Sequence, residues 1–400
     1  MAFLVPPLQS ARGEEGFRRW LEGLWPEARD FGISRTTFDS AFRGVQPDPR
    51  LPDLAIAGRR GPGVKGQAEF IKTPQDYLSK TYLTTLAERG KGLLAEHAQT
   101  LMQVEREVGV ERHVVLAIWG RETAYGTHRL PHSALRVLAT QAYLGRRKDL
   151  FRKELLYALR LLEERVAAPE TLRSSWAGAI GLTQFMPSDY YRSAYDLDKD
   201  GRKDIWNSVP DALASAANQL KQKGWVAGQT WGYEVRLSPQ VDCALEGPLN
   251  ARSVSEWVRL GLRPAHDLRF RADQLEPEAY LMMPGGAYGP AFLALENFKV
   301  IRRYNQSDLY AVFVGHLADR IAGGGDFETP WRNVSQVAPR DIEDIQRRLQ
   351  VEGYAVDKID GKIGSNTRAQ IGAYQKAHGL RVDCWPSEAL LKNLRTLASR

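Results

Sequence analysis

One carboxylate stands where the surrounding pattern calls for an apolar side chain. Around "AIWGRETAYG" (117–126), Val110, Val114 and Ile118 recur at helical spacing, and Glu122 falls on the same face one turn further on. A carboxyl desolvated against Ile118 and Trp119 should titrate high, because burial disfavours its charged form. A glutamic acid still neutral at about pH 7 can protonate a leaving-group oxygen, the general-acid half of glycoside cleavage. The plainer reading is a helix-terminal Glu paired with Arg121 or Arg129, and spacing alone favours it.

Glycosidases ordinarily use two carboxylates. Downstream, the Gly-rich stretch "SSWAGAIGLTQFMPS" offers Ser175, Gln184 and Ser188 but no acid before Asp189. A lone acid among amides, hydroxyls and aromatics fits a reaction whose nucleophile is carried by the substrate itself. A second cluster lies in "DLDKDGRKDIWN", with Asp196, Asp198, Asp200 and Asp204 at loop positions one, three, five and nine. Gly201 stands at position six and Arg202 at the backbone-carbonyl position seven, as in an EF-hand loop. Asn207 replaces the closing Glu of that pattern, and Asp211 could supply the missing carboxylate. This predicts a structural calcium site. The competing reading is a solvated acidic turn.

The elements that carry these residues are mostly helical. Residues 14–45 hold an apolar stripe of Phe17, Trp20, Leu21, Leu24 and Trp25, and helical patterns dominate from Pro74 to Arg165. "GRRGPGVKGQAEF" (58–70) reads as a connector, since its glycines lack phosphate-loop spacing. Helical periodicity fades over 231–290, where "WGYEVRLS" and "EAYLMMPG" look like short strands, and returns at "PAFLALENF". "AGGGDFETPWRNVSQVAPR" (322–340) reads as a linker to about 60 C-terminal residues with two amphipathic helices.

Composition bounds the rest. The 400 residues, 43% hydrophobic and 26% charged, suit two or three globular units. No apolar run approaches the ~18 residues of a membrane span. "MAFLVPPLQSARGEEGF" lacks the features of a signal peptide as it stands. The net charge of +7 favours a polyanionic partner. Scattered basic residues and the lack of a nucleic-acid signature argue against DNA or RNA. Cys243 and Cys384 lie far apart without CxxC spacing, so two free buried thiols are favoured over a long-range disulfide, which an oxidising compartment would permit. His128 and His132 are separated by Pro131, which breaks the helix a zinc pair would need.

Together, "GQAEF", "AIWGRETAYG", "SSWAGAIGLTQFMPS" and "ALENF…RRYNQSDLYA" resemble, in order, the motifs of the membrane-bound lytic transglycosylase B family and its soluble relatives. The resemblance implies a mainly α, lysozyme-like catalytic region over 1–322. Its core is expected at about 74–230 and 287–322, with a β-containing insertion at about 231–286. It implies cleavage of the β-1,4 bond between N-acetylmuramic acid and N-acetylglucosamine in peptidoglycan, leaving 1,6-anhydromuramoyl ends. Glu122 then matches the family's sole acid/base. Ser175 and Gln184 match polar groups beside it, and Tyr77, Tyr304 and Tyr310 match aromatics lining the glycan groove. After Asn218, a further substrate-binding candidate, some members carry a Tyr, whereas this chain has Gln219.

"LQVEGYAVDKIDGKIGSNTRAQIGAYQKAHGL" resembles the three-helix peptidoglycan-binding module of wall hydrolases, placing a linker at 323–340 and the module at 341–400. Contacts near Asp360 and Arg368 are expected from that resemblance, as are catalysis without a cofactor, a periplasmic location and a monomer. A hydrolase of the same bond using a second acid, and a non-catalytic wall-binding scaffold, are the competing readings.

Overall fold

The computed structural model describes residues 7–56, 72–335 and 337–397. The connector at 58–70, including "GQAEF", lies outside the described residues. The chain divides into two compact units, residues 1–66 with 118–219 and residues 67–117 with 220–400.

The first unit is built from helices, beginning with Pro7–Asp30 and Arg35–Phe42. Phe17, Leu21 and Leu24 bury the predicted stripe, with Phe17 and Trp20 both against Tyr143 at 5.4 Å. Helix Ala134–Leu144 is capped by Ser133, whose hydroxyl accepts from the Arg136 amide, and it buries eight residues. Helix Lys148–Glu163 packs beside it through Phe151, Leu155 and Leu159. A two-stranded ribbon pairs His132–Ser133 with Arg173–Ser174.

The second unit starts with the short helix Pro74–Tyr77, where Thr73 caps the Asp76 amide and proline occupies the first turn. Helices Lys80–Glu96 and Ala98–Val108 follow, the latter ended by Gly109 at φ 82°. The expected strands form at Gly232–Arg236 and Glu278–Met282 within a five-stranded antiparallel sheet. Ala291–Ala294, expected to begin the returning helices, is instead a central strand, paired with Gly232–Val235 and Tyr280–Met282. All four of its residues are buried, so the short apolar run carries no helical period, and the helical pattern resumes only at Glu296. Trp257 lies beneath the sheet, its indole N–H donating to the Ala279 carbonyl at 2.9 Å.

Helices Pro339–Val351, Ser365–Ala377 and Glu388–Leu397 make the C-terminal module around Ile345, Leu349, Ile371 and Tyr374. The segment read as a linker is strapped down. Phe327 stacks on His316 at 3.7 Å, Trp331 covers Gly285 and Gly289, and the Arg332 amide donates to Tyr288. Glycine and proline fix irregular backbone here and do not make the segment loose.

The thiol reading is corrected. Cys243 and Cys384 form a disulfide across 141 residues, with Cα atoms 6.0 Å apart. Both lie in the apolar cluster beneath the sheet, so packing of the module brings together two positions that share no local signal. Arg368 is corrected too. It is 1% exposed and spends its guanidinium on Glu246 at 2.5 Å and Asp308 at 3.0 Å, so it offers nothing to a ligand. The Ala287 amide donates to the Asp383 carbonyl and the Tyr288 hydroxyl to the Asp383 carboxylate. The module is therefore clamped to the sheet by a covalent bond, a buried ion-pair network and backbone hydrogen bonds.

Candidate active site

Val110, Val114 and Ile118 are buried, so the apolar stripe faces inward as its spacing predicts. Glu122 is half-buried in the last turn of helix Arg112–Thr123. The helix stops at once. Ala124, Tyr125 and Gly126 all adopt left-handed backbone, with φ 47°, 58° and 76°. For residues with a side chain this costs about 1–3 kcal/mol each and persists only where neighbours hold it.

Thr123 supplies one hold. Its buried hydroxyl donates to the Leu182 carbonyl at 2.7 Å and accepts from the Gly126 amide at 3.1 Å. The Tyr125 ring supplies another, packing edge-on against Trp119 at 5.6 Å. Gly120 makes room for that ring, since an added Cβ would lie 2.6 Å from its Cζ.

Through Leu182 the Glu122 turn is tied to the Gly-rich stretch. Ile180 and Phe185 exchange backbone hydrogen bonds there at 2.7 and 2.9 Å, closing a tight hairpin. Gln184 sits in it at φ 57°, half-buried, its amide donating to the Gly181 carbonyl at 3.1 Å. Ser175, also half-buried, accepts from the Ala179 amide through its hydroxyl at 3.2 Å. The Leu182 amide reaches on to the Ile205 carbonyl at 2.9 Å, so a relay of hydrogen bonds links the Glu122 turn, the hairpin and the acidic loop. Asn218 is half-buried and donates to the Ser193 carbonyl at 2.9 Å, which fixes its side chain. Gln219 is 4% exposed.

The tyrosines differ from expectation. Tyr77 and Tyr310 are 5% and 1% exposed, and Tyr77 packs edge-on against Phe313 at 5.9 Å. Neither presents a ring face that a sugar could cover, because the apolar core has taken both. Tyr304 is half-buried at the end of helix Glu296–Tyr304.

Two further acids of the first unit, Asp189 and Glu154, are engaged. Asp189 pairs with Arg192 at 2.6 Å and accepts from the Met186 amide. Glu154, which sequence reasoning missed, is buried and accepts from the Ser188 amide and hydroxyl at 2.8 and 2.7 Å. Burial raises its carboxyl despite those hydrogen bonds. The signal was available: Glu154 shares the inward face with Phe151, Leu155 and Leu159, as Glu122 does with its own stripe.

In the acidic loop, Asp196, Asp198 and Asp211 bring one carboxylate oxygen each within 4.8 Å of one another. Oxygens around a calcium ion at about 2.3–2.6 Å reach such separations, so these three fit a calcium ion. Asp196 Oδ1 is buried and, among the described residues, has no hydrogen-bond partner. Burial raises the Asp211 carboxyl, with the Asp198 and Asp196 charges adding to it. Asp200 and Asp204 fall outside this group. Asp200 accepts from the Arg202 amide, while Asp204 accepts from the Trp206 and Asn207 amides and the Asn207 side chain, closing the turn. Asp196 and Asp198 also accept from backbone amides, those of Gly201 and Asp200, so every acid of the loop shares in closing the turn.

This arrangement matches known proteins. The transglycosylase SLT domain family matches residues 16–319 and a putative peptidoglycan binding domain matches residues 339–393. The chain belongs to the SLT-domain transglycosylases. It is 31% identical over 288 residues to membrane-bound lytic murein transglycosylase B of Escherichia coli K12, covering 71% of this chain and 74% of that protein. SltB3 of Pseudomonas aeruginosa, in complex with NAG-anhNAM-pentapeptide, matches with a TM-score of 0.85 and 39% identity over 95% of this chain and 99% of that one. Slt35 of E. coli, in complex with calcium, matches with a TM-score of 0.54 and 29% identity over 62% and 78%. The protein is a lytic transglycosylase that acts on peptidoglycan.

Proposed function

We propose that Glu122 is the sole acid/base of this transglycosylase. The observation that carries the reading is its position: the last turn of an inward-facing stripe, clasped through Thr123 to the hairpin bearing Gln184. Glu122 gives its proton to the bridging oxygen as the bond from the muramoyl C1 to that oxygen breaks. The sugar's own C6 hydroxyl then attacks C1, and its proton passes to the Glu122 carboxylate. The carboxyl is thereby restored for the next turnover, a 1,6-anhydromuramoyl end is formed, and no water is consumed. Ser175 and Gln184 orient N-acetyl and hydroxyl groups, Asn218 keeps the adjoining helix in register, and Tyr304 is assigned to glycan binding.

A calcium ion at Asp196, Asp198 and Asp211 would supply charge neutralisation where three acids converge. Asp211 also accepts from the Leu197 and Asp204 amides at 2.9 Å, so it ties the loop to helix Val209–Gln222. The periplasm, as a monomer, is the setting we propose, supported by a disulfide of the kind that persists in oxidising compartments. Mass spectrometry of products from purified sacculi tests the chemistry: an anhydro end is one water lighter than a reducing end. Glu122→Gln should lower release at least ~10³-fold, within the range of a lost acid/base, while sacculus binding persists. Reducing ends from the wild type, or an active Glu122→Gln protein, refute the reading.

A further inference from the structure

Within the first unit, Glu154 is a buried carboxylate that the acid/base scheme does not use. It is 4% exposed, on helix Lys148–Glu163 among Phe151, Leu155 and Leu159. A carboxylate in such surroundings is unfavourable unless its oxygens are hydrogen-bonded. Both are: Oε2 accepts from the Ser188 amide at 2.8 Å and Oε1 from the Ser188 hydroxyl at 2.7 Å. The two donors belong to one residue, so the acid grips a single point of the chain.

That point is the start of helix Pro187–Ser193. The first amides of a helix have no carbonyl partner within it and need an outside acceptor. A Ser, Thr, Asp or Asn side chain at the N-cap commonly supplies one. Here Met186 holds that position, without a side-chain capping bond. Pro187 has no amide to satisfy, and the Asp189 amide turns back on the Met186 carbonyl at 2.8 Å. Ser188 is thus the amide that Glu154 caps from a neighbouring helix. Arg192 donates to the Ser188 hydroxyl at 3.0 Å, which leaves the hydroxyl proton for Glu154.

Ser188 follows Gln184 by four residues, and little between them can bend. Phe185 is fully buried and exchanges backbone hydrogen bonds with Ile180, Met186 is extended, and the Pro187 ring fixes its own φ. On its entry side the hairpin is held through Leu182 by Thr123 and Ile205. Glu154 supplies the hold on the exit side, so the loop bearing Gln184 is pinned at both flanks. Helix Pro187–Ser193 has a second tie, from the Tyr191 hydroxyl to Glu164 at 3.0 Å. That tie lies further from the hairpin and ends on an exposed carboxylate, so it docks the helix without reaching Gln184.

We propose that Glu154 is a positioning residue for the transglycosylase reaction, holding the Gln184 hairpin in register with Glu122 through Ser188. It touches no substrate and moves no proton. A glycan strand is gripped along its length, so loosening one hairpin should leave binding nearly intact and slow the chemical step. Misplacement of a catalytic constellation by about 1 Å can cost about 10²-fold in rate. The inference rests on the proposed function, in which Gln184 and Glu122 act together.

The test is steady-state kinetics of the full chain on soluble glycan strands from purified peptidoglycan, per folded molecule and well below each variant's thermal midpoint. Glu154→Gln keeps the shape but turns an amide donor on the Ser188 hydroxyl. Its kcat should fall at least ~10-fold with KM within about twofold of wild type. Ser188→Ala, which keeps the amide bond to Glu154, should lose about 3-fold in kcat, and it decides the matter if Glu154→Gln does not fold. The double variant should be no slower than Glu154→Gln, because both act through one contact. Tyr191→Phe, which undoes the other tie, should lower the midpoint and leave kcat unchanged. Wild-type kcat in the folded Glu154 or Ser188 variant, a change confined to KM, losses that multiply in the double variant, or an equal loss in Tyr191→Phe overturns the proposal. Activity surviving in Glu122→Gln would instead count against the proposed function.

Discussion

Gly120→Ala is a small change with a large expected consequence. An alanine Cβ would lie 2.6 Å from Cζ, 2.7 Å from the hydroxyl oxygen and 2.9 Å from Cε1 of Tyr125. Ordinary contact begins at 3.4 Å, so the ring or the helix must yield by about 0.8 Å. The ring has little freedom to do so, being 4% exposed, wedged against Trp119 and carried on left-handed backbone. Overpacking of this kind costs about 1–3 kcal/mol, or several degrees in Tm. The displaced element is the turn that immediately follows Glu122. A misplacement of about 1 Å in a catalytic group can cost about 10²-fold in rate. Gly120→Ala should therefore lower both the thermal midpoint, read by calorimetry, and the initial rate of anhydromuropeptide release. Gly120→Ala/Tyr125→Leu, which vacates the contested space, should recover most of the stability. Wild-type rate and midpoint in Gly120→Ala would refute the packing argument. A lowered midpoint with full activity would refute the link between this turn and catalysis.

The other expectations are narrower. Thr123→Val keeps the shape but leaves the Leu182 carbonyl and Gly126 amide without their partner; it should cost about 1–3 kcal/mol by chemical denaturation and slow turnover. Burial pushes the Glu246 carboxyl up from 4.5 to about 7, outweighing the pull of Arg368. A carboxyl raised by folding favours the folded state below its unfolded value and loses that contribution as pH climbs to the folded one. The midpoint of the wild type relative to Glu246→Gln should thus fall between pH 4.5 and about 7, and a constant difference across that window would contradict it. Calcium should raise the midpoint of the wild type but not of Asp198→Asn, an exposed position where a fold defect is not expected, and a chelator should reverse the gain.

Periodicity made the local features readable. Val110, Val114, Ile118 and Glu122 show their common face within a dozen residues, and Gly232–Arg236 and Glu278–Met282 announce themselves by composition. What escaped depends on distant partners. Arg368 finds Glu246 across 122 positions, so its burial follows from a neighbour that no window contains. Tyr310 looks the same in sequence whether it faces a groove or a core, and only packing decides. The strap from 322 to 338 shows the converse case, where residues suited to a loose tether are held by two aromatic side chains.

The bridge between Cys243 and Cys384 closes the chain into a covalent ring that includes the whole strap. A protease that nicks the strap once cannot shed the C-terminal helices, because both pieces stay linked through sulfur. The two fragments would separate on a denaturing gel only after a thiol is added, so damage at the wall need not disarm the enzyme's grip on it.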